Sequence, residues 1–491
     1  MKRTTVLKSA AVLGVASLAL AACGGSSTSS ESTSAAAAAS SAAPAASSAA
    51  ASTAASASAA TSAAPAASGE CKNPALIVGT LLPQTGDLSF LGPPEFAGVK
   101  KAVDEINASG GVNGTPMTSI DGDSGDTTTD IASQTVDSHL SQGAGAIIGA
   151  ASSGVSLTVI DKITSNGVLQ ISPANTSPAL TTYEDNGLYW RVAPSDALQG
   201  AVIAGSAVDA GLTDVAVIAR QDPYGEGLEK AFSKNFTDAG GTVTSELLYD
   251  PAAASFEAEV AEIKAGNPQA VVVIGFEETT KLMQEMIKQG VGPQDVQIYL
   301  VDGNLSTEAY KDFPKGTMKG VLGTIPVGEQ DLTDFNASLK EIDPSLTDYT
   351  YGAQAYDATI LVALAAQAAG CGDGTAIAAM LPEVANTGGE KCTTYAAVML
   401  IALAAQVAGT DGIEYASEII NVSREGEKCT TYADCLALLA AGTKIDFDGV
   451  TGPLDFNQYG DPKSATIAIN EYSANNKFAE VDRVTADVPL P

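Results

Sequence analysis

Positive charge and histidine are scarce in this chain. Its 491 residues hold 25 Lys and Arg against 57 Asp and Glu, with one His, so the formal net charge is -32. Proteins that bind nucleic acids rely on clustered Lys and Arg, so the composition argues against a DNA or RNA partner. The single histidine, His139, leaves little scope for a histidine-dependent triad or a histidine-rich metal site. We expect His139 to lie in solvent on a polar helix face.

Catalytic and cofactor motifs are also lacking. No Gly-x-Ser-x-Gly motif with a partnering His is visible, which disfavours a secreted hydrolase. Gly225-Glu226-Gly227 lacks the third glycine of a dinucleotide fingerprint. The acidic stretch 121–126 lacks the spacing of a calcium loop and its terminal Glu, so a loop that caps the next helix is favoured. We therefore expect a protein that is not an enzyme and that holds neither cofactor nor metal.

Long apolar runs are absent beyond the N-terminus, so the folded part is expected outside the bilayer. Lys2 and Arg3 precede an apolar run from Ala10 to Ala22, which is typical of a cleaved export signal. The run ends in Leu20-Ala21-Ala22-Cys23-Gly24. This ending resembles the bacterial lipobox, which implies that Cys23 is acylated and becomes the mature N-terminus. The alternative is an ordinary secretory signal that contains an unrelated cysteine.

The segment from Gly24 to Glu70 consists mainly of Ala and Ser and carries almost no charge. Such a composition cannot bury enough apolar surface to form a packed core. As a flexible chain it would have a root-mean-square reach of roughly 35–40 Å. We interpret it as a tether between a membrane anchor and a folded domain.

Five cysteines remain once Cys23 is set aside, and an odd number leaves at least one thiol free or paired between molecules. Disulfides are possible in an exported protein, because the environment outside the cytoplasm is oxidising. Cys429 and Cys435 are close in sequence, and we favour a bridge between them. The pairing of Cys71, Cys371 and Cys392 stays open. A zinc site is disfavoured because no Cys-x2-Cys pair and no nearby His occur.

Short apolar runs alternate with amphipathic helical patterns from residue 75 onward. Predicted strands lie at 75–82, near 120, and at 146–149, 168–171, 215–219, 243–248, 270–274 and 298–301. Alternation of this kind predicts an α/β fold with parallel sheets that are covered by helices on both faces. Ligands of such open sheets bind beyond the carboxyl ends of the strands. The loops that follow the strands are therefore the expected functional positions.

A series of short motifs runs through the folded part of the chain. They are Gly79-Thr80-Leu81-Leu82-Pro83-Gln84-Thr85-Gly86, Glu95-Phe96-Ala97-Gly98, Gly110-Gly111-Val112-Asn113-Gly114, Ser172-Pro173-Ala174-Asn175-Thr176, Tyr224-Gly225-Glu226-Gly227 and Gly452-Pro453-Leu454-Asp455-Phe456. In this order they resemble the branched-chain amino-acid (Leu/Ile/Val-type) substrate-binding proteins of ABC transporters, here in a lipoprotein form. The resemblance implies a type I periplasmic binding protein fold, in which two Rossmann-like lobes with parallel sheets are joined by three hinge crossovers.

The resemblance also implies an organisation of the chain. The expected parts are a signal peptide at 1–22, a lipid-anchored tether at 23–72, first-lobe parts at 73–194 and 327–452, and second-lobe parts at 195–326 and 453–491. A tandem duplication lies near 356–433, because 361–370 recurs as 400–409 and 390–396 recurs as 427–433. Two copies are too few for a solenoid. We favour an inserted helix pair on one lobe, away from the cleft, over an added interaction surface.

Three first-lobe residues match family positions that bind the α-carboxylate of the ligand: Ser153, Ala174 and Thr176. The residue pattern agrees with this role, because the strand that ends at Gly149 leads through serines into a helix. The N-terminus of a helix favours an anion, and hydroxyl groups are hydrogen-bond donors. Taken singly, each of the three positions is also compatible with a helix cap or a turn.

Three second-lobe residues complete the expected site. Asp302 follows the predicted strand 298–301 at the position where the family places an acid against the α-ammonium, although an Asp here could also begin a turn. Tyr224 and Phe276 match aromatic positions that cover the bound ligand. Phe276 stands where tyrosine is more usual, and Leu91 replaces an aromatic residue of the first lobe. These differences leave the side-chain specificity open.

The resulting functional expectation is an extracytoplasmic solute-binding lipoprotein of an ABC importer. It would be a monomer, lipid-anchored to the cell membrane, that captures a branched-chain or related amino acid and delivers it to a membrane permease. The alternatives are a receptor for amides, urea or another small polar solute, and a ligand sensor that acts on a signalling partner. The specific permease and the exact ligand are not defined by the sequence.

Overall fold

The computed structural model describes residues 71–328, 330–385, 427–457 and 459–490. The predicted signal peptide and nearly all of the tether, including Cys23, lie outside the described residues. Cys392 and the second copy of the repeated decapeptide, at 400–409, also lie outside them.

Strands and helices alternate along most of the described chain. The first series is β1 (Ile77–Leu81), α1 (Gly92–Ala108), β2 (Thr118–Ile120), α2 (Ile131–Ser141), β3 (Ala146–Gly149), α3 (Ser153–Ser165), β4 (Leu169–Ser172) and β5 (Tyr189–Arg191). The second is α4 (Asp196–Asp209), β6 (Asp214–Arg220), α5 (Pro223–Asp238), β7 (Thr242–Tyr249), α6 (Glu257–Ala265), β8 (Ala270–Ile274), α7 (Thr279–Gln289), β9 (Gln297–Leu300) and β10 (Leu322–Val327). The last is α8 (Thr333–Ile342), α9 (Gly352–Ala369), α10 (Gly374–Ala385), β11 (Glu427–Cys429), α11 (Tyr432–Ala440), β12 (Ile445–Gly449), β13 (Gly452–Pro453), β14 (Ser464–Tyr472) and β15 (Phe478–Asp487).

The first sheet contains five parallel strands in the order β2-β1-β3-β4-β5. All residues of β3 and β4 are buried, as expected when helices cover both faces of a parallel sheet. β3 is accordingly a short apolar run, whereas β4 also buries the polar residues Gln170 and Ser172. A small three-stranded sheet, β11-β12-β13, accompanies this lobe.

The second sheet has seven strands in the order β15-β14-β10-β9-β8-β6-β7. The strands from β6 to β10 are parallel, as predicted. Strand β14 is antiparallel to both of its neighbours, β10 and β15. The sequence analysis did not predict this hairpin. Its turn contains Asn476 with a φ of 54°, a left-handed conformation that asparagine tolerates.

The chain crosses between the two lobes three times. It leaves the first sheet after β5, returns after β10 to place α8 and α9 against α1, and leaves again between β13 and β14. We call these segments the first, second and third crossovers. Two α/β lobes with three crossovers confirm the type I periplasmic binding protein fold that the sequence analysis predicts.

Helix α9 forms the centre of the first lobe. Its residues from Gly352 to Ala366 are all buried, and it packs closely against α1. A Cβ atom on Gly98 of α1 would collide with the carbonyl oxygen of Gly352, so glycine permits the close approach of the two helices. Residues 361–366 of the first copy of the repeated decapeptide are buried in this core, while the inserted helix pair stays a prediction.

Among the described helices, none alone is long and apolar enough to cross a membrane. The pair α9 and α10 meets the length and composition requirement only together, and the two helices are bent by 103°.

Two disulfides join described residues. Cys429 is bonded to Cys435, the pair that the sequence analysis favours, and Cys71 is bonded to Cys371 at the end of α9. The second bond connects positions 300 residues apart and attaches the start of the described chain to the first lobe. Among the described residues, one group has metal-ligand spacing, and it consists of this disulfide and Asp373.

The expectation that His139 lies in solvent is wrong. Its side chain is buried against Gly79 and Gly122, and Nε2 lies 2.8 Å from the Thr80 carbonyl oxygen. The glycines at both positions leave the space that the imidazole ring occupies. Burial lowers the pKa of His139 although the Thr80 carbonyl acts in the opposite direction. Its helix was predicted correctly, but the contact with β1 could not be read from helical periodicity.

Candidate ligand-binding site

A small cavity lies between the two lobes, beyond the carboxyl ends of strands from both sheets. The residues that line it are Leu88, Leu91, Ala151, Ser153, Ala174, Thr176, Tyr224, Phe276, Asp302, Gly303 and Tyr351. All six ligand-binding residues of the sequence analysis are among them. The structure therefore brings these six positions together, while their role in binding stays a prediction.

The first-lobe wall is built at the end of β3. Gly149 has a φ of 127°, and a Cβ atom there would collide with the Leu81 carbonyl oxygen. The chain then turns into α3, where the Ser152 hydroxyl caps the helix by accepting a hydrogen bond from the Val155 N–H over 3.4 Å. The N-terminus of α3 thus lies beside the cavity, where its dipole favours an anion.

Ser153 connects this turn to the loop after β4. Its Oγ accepts hydrogen bonds from the N–H groups of Thr176 and Ser177, over 3.3 and 3.2 Å. The Ser153 hydroxyl proton remains available to a ligand, because both bonds use oxygen lone pairs. The loop also depends on Ser172, whose Oγ accepts from the Ala174 N–H over 3.2 Å. Short hydroxyl side chains thus hold the backbone of both loops.

Asp302 provides the acidic group on the second-lobe side. The residue follows β9 and is 5% exposed. One carboxylate oxygen accepts from Gln199 Nε2 over 2.7 Å and from the Tyr224 hydroxyl over 2.8 Å, and the other accepts from the Tyr351 hydroxyl over 2.8 Å. Burial raises the pKa of Asp302, and these three hydrogen bonds act against that rise.

A second buried carboxylate, Asp196, lies close to Asp302. It is the first residue of α4 and is 0% exposed, and neither of its oxygens makes a hydrogen bond of normal geometry to a described residue. Burial raises the pKa of Asp196 well above its ordinary value, and the charge of Asp302 adds to the rise. Thr176 and Arg191 act in the opposite direction. The sequence analysis missed Asp196, because an acid in the first turn of a helix is common for reasons of the helix dipole.

The aromatic wall rests on a buried cation. Tyr224 and Phe276 are stacked with ring centroids 5.2 Å apart, and the Arg220 guanidinium lies 3.6 Å from the centroid of Phe276. Arg220 forms ion pairs with Asp222 over 2.6 Å and with Glu278 over 3.0 Å. These contacts hold Phe276 in one orientation beside the cavity.

The two lobes contact each other around the cavity. The Ser177 hydroxyl of the first lobe donates to the Pro223 carbonyl of the second over 2.6 Å. Asp87 of the first lobe lies 3.7 Å from Arg220 of the second. Tyr351, which precedes α9, reaches Asp302 through the hydrogen bond described above. The lobes thus touch around the cavity, and the residues that line it are buried.

Sequence reasoning also missed Tyr351, Leu88 and Ala151 as lining residues. Tyr351 has a φ of 62°, a conformation that is uncommon for a bulky residue. No pattern in the sequence indicates such a conformation. Leu88 and Ala151 follow the first and third strands, so their positions after strand ends were the available signal.

Comparison with known proteins assigns the chain to a family. The family model described as periplasmic binding protein matches residues 76–389, which is more than half of the chain. The chain belongs to the periplasmic binding protein family. This result confirms the family resemblance that the sequence motifs indicate.

Individual relatives of this periplasmic binding protein support the assignment. Leu/Ile/Val-binding protein homolog 2 of Brucella abortus strain 2308 is 30% identical over 317 residues, which cover 63% of this chain and 82% of the relative. The leucine-binding protein LivK of Thermotoga maritima superposes with a TM-score of 0.64 at 20% identity, over 83% of this chain and 98% of LivK. The substrate-binding protein LivJ of Streptococcus pneumoniae, solved with isoleucine, gives 0.63 at 19% identity, over 84% and 99%.

These relatives are solute-binding proteins rather than enzymes, in agreement with the expectation from the sequence. Chemically, the cavity of this periplasmic binding protein offers hydroxyl groups and a helix N-terminus from one lobe and a hydrogen-bonded carboxylate from the other. Such a pair of walls can bind and orient a dipolar solute.

Proposed function

We propose that this periplasmic binding protein captures an amino acid between its lobes and delivers it to the permease of an ABC importer. The observation that carries the proposal is that Ser153, Ala174 and Thr176 of one lobe and Asp302 of the other line a single cavity. A zwitterion needs donors for its carboxylate and an acceptor with negative charge for its ammonium. The cavity provides one of these from each lobe.

Closure explains why capture requires both lobes. A ligand shifts a conformational equilibrium only if it binds one state better than the other. An open form would present the hydroxyl groups of the first lobe and Asp302 of the second at a greater separation, so one amino acid would contact both sets only in the closed form. Ligand binding would therefore favour the closed form, which the permease would recognise.

The remaining lining residues indicate an apolar ligand side chain. Leu88, Leu91 and Ala151 contribute aliphatic surface, while Tyr224 and Phe276 cover the site. Apolar walls with a few polar groups are usual for small-molecule sites. A branched-chain or related apolar amino acid fits this chemistry better than a charged one.

We extend the proposal to the N-terminal segment and to the lobe boundaries. Residues 1–22 would be removed as a signal peptide, Cys23 would carry the lipid anchor on the extracytoplasmic face, and 23–72 would act as the tether. Each buried CH2 of an acyl chain would contribute about 0.8 kcal/mol to membrane binding. We propose the lobe boundaries expected from the sequence, and we propose a monomer, as expected for a protein that closes on its own ligand.

The ligand is tested by a thermal-shift screen of the purified mature domain against the twenty amino acids, simple amides and urea. A ligand present at 100 times its dissociation constant adds about 2.7 kcal/mol of stability, which a screen detects readily. A rise in melting temperature that occurs only with apolar amino acids supports the proposal. A shift with only amides or urea supports the alternative receptor function, and no shift with any of these solutes contradicts both.

The anchor is tested separately by labelling cells that express the full chain with an alkyne-tagged palmitate. Wild-type protein is expected to incorporate the label and to sediment with membranes. The C23A variant is the control and should lose both properties. Equal labelling of the two proteins would contradict acylation at Cys23.

A further inference from the structure

Arg191 is a fully buried cation at the end of β5. Its side chain is 0% exposed, and its Nε and Nη2 donate to the two carboxylate oxygens of Asp461 over 2.7 and 2.9 Å. A bidentate pair of this kind compensates much of the cost of burying both charges. Asp461 lies in the third crossover, whereas Arg191 directly precedes the first. The ion pair therefore joins two of the three crossovers.

The remaining donors of Arg191 reach the loop that contains Thr176. Nη1 donates to the Ser177 carbonyl over 2.8 Å and makes a longer bond of 3.4 Å to the Asn175 carbonyl. These two residues are the immediate neighbours of Thr176. Thr181 lies just beyond this loop, and its Oγ1 accepts a hydrogen bond from Nη2 over 2.6 Å. The guanidinium thus holds both sides of a predicted ligand-binding residue.

Other contacts complete the support of this loop, which we define as residues 174–177. The Asp196 N–H donates to the Thr176 carbonyl over 2.7 Å, so three consecutive carbonyls, at 175, 176 and 177, accept hydrogen bonds from protein donors. Bonded carbonyls determine the orientation of the peptide groups between them. Ligand donors that are oriented in advance bind with a smaller entropy cost.

We propose that Arg191 is a positioning residue that keeps the loop 174–177 in its ligand-binding conformation and links it, through Asp461, to the third crossover. The effect of Arg191 on ligand affinity rests on the proposed function, whereas its effect on the conformation of the loop does not. The same loop contacts the second lobe through Ser177 and Pro223. One guanidinium therefore connects the hinge region, the binding loop and the contact between the lobes.

Substitution by lysine separates this role from the charge. R191K keeps one positive charge but replaces a planar set of donors with a single ammonium group. That group cannot bind Asp461 through two parallel bonds and also reach the carbonyls of Asn175 and Ser177. In R191K, the lysine should therefore still neutralise the charge of Asp461, while the carbonyl groups of Asn175 and Ser177 lose their hydrogen-bond donors.

The first test is hydrogen–deuterium exchange on the ligand-free mature protein. In R191K, amides of 174–177 should exchange about tenfold faster than in wild type, while amides of β6 and β8 stay unchanged, because local opening is confined to the unsupported loop. R220K is the matched control, since Arg220 is also a buried arginine held by carboxylates, namely Asp87, Asp222 and Glu278, and forms no hydrogen bond with the loop 174–177. Wild-type exchange of the loop in folded R191K would overturn the proposal. If R191K does not fold, T181V removes one guanidinium partner and should give a smaller acceleration.

The second test is a double-mutant cycle with T176A, using L-leucine as the probe in calorimetry. If Arg191 positions the loop, T176A should weaken leucine binding less in the R191K background than in wild type, because coupled residues are not additive. Additive losses would contradict the positioning role. If wild type binds no leucine but amides 174–177 exchange faster in R191K, leucine is excluded as the ligand. The exchange result then still supports the positioning role of Arg191.

Discussion

Asp302 is oriented by hydrogen bonds from Gln199, Tyr224 and Tyr351. One carboxylate oxygen already accepts two hydrogen bonds, whereas the other accepts one and keeps a lone pair for a further donor such as an ammonium group. Burial makes the ionised form costly, as the raised pKa shows. A cationic partner would offset this cost, which is the physical reason to place the ligand ammonium here.

The D302N variant should therefore bind its amino acid far more weakly. Removing one charge of a buried, hydrogen-bonded pair costs about 2–5 kcal/mol, so the dissociation constant should rise by about 30-fold or more. Isothermal titration calorimetry measures the change. D209N, an exposed acid at the end of the neighbouring helix α4, is the control and should bind as wild type does. An unchanged affinity of D302N would exclude Asp302 as the ammonium partner.

Binding should also depend on pH through the pair Asp196 and Asp302. The ammonium requires ionised Asp302, and the pKa of this group is raised, so affinity should fall as the pH is lowered through a range above that of ordinary carboxyl groups. The groups that act on Asp196 besides Asp302 are Thr176, Arg191 and Asp222.

D196N replaces the carboxyl group that interacts electrostatically with Asp302 by a neutral amide, so Asp302 no longer shares its site with a second ionisable acid, and the fall in affinity should shift to lower pH. Titrations in buffers of different ionisation enthalpy report the protons that are released on binding. An identical pH profile for wild type and D196N would show that the two carboxylates do not influence each other in binding.

Among the elements of the first lobe, the side chain of Asp357 connects α9 to the turn between β12 and β13. Asp357 is fully buried and accepts hydrogen bonds from the Val450 N–H over 2.8 Å, the Thr451 N–H over 2.9 Å and the Thr451 hydroxyl over 2.6 Å. These bonds shape the turn between β12 and β13. Burial raises the pKa of Asp357 to about 7, although the three hydrogen bonds act in the opposite direction.

This pKa predicts a pH dependence of stability. Between an ordinary pKa near 3.8 and the folded value of about 7, the folded state binds a proton that the unfolded state does not. The contribution of Asp357 to the free energy of unfolding is therefore present at low pH and is lost as the pH rises to about 7.

Urea unfolding of wild type and D357N across this range tests the prediction, because the difference between the two proteins isolates Asp357 from the other buried acids. The free energy of unfolding of wild type should fall relative to that of D357N as the pH rises. Parallel pH profiles of the two proteins would contradict it.

At the scale of the whole molecule, the crossovers are where closure must change the backbone. The sequence contains one Trp, Trp190, which lies on β5 next to the first crossover. Its ring packs edge-on against Phe456 of the third crossover, with centroids 5.1 Å apart, and contacts Gly460. The indole therefore lies between two of the segments that connect the lobes.

Ligand binding should consequently change the emission of Trp190. If closure moves the third crossover, the surroundings of the indole change, and fluorescence titration should give the same dissociation constant as calorimetry. F456L should reduce the amplitude with little effect on affinity, since Phe456 does not line the cavity. An emission that is constant at saturating ligand would show that these crossovers do not move around Trp190.

Local properties of the chain, namely apolar periodicity and strand ends, were enough to predict the α/β class and the positions of most strands. The six ligand-binding positions were implied by the family resemblance that the order of the motifs indicates. The sequence also determined that Asp302 follows a buried strand. These features need no knowledge of which distant segments meet.

The groups that surround those six positions could not be predicted from the sequence, because they depend on tertiary packing. Asp196 and Asp302 lie more than a hundred residues apart, Tyr351 comes from the segment before α9, and Arg191 meets Asp461 across most of the chain. The burial of His139 likewise depends on glycines in other elements. Contacts of this kind arise when packing brings separate elements together, and the energy of a buried charge depends on those neighbours rather than on its place in the sequence.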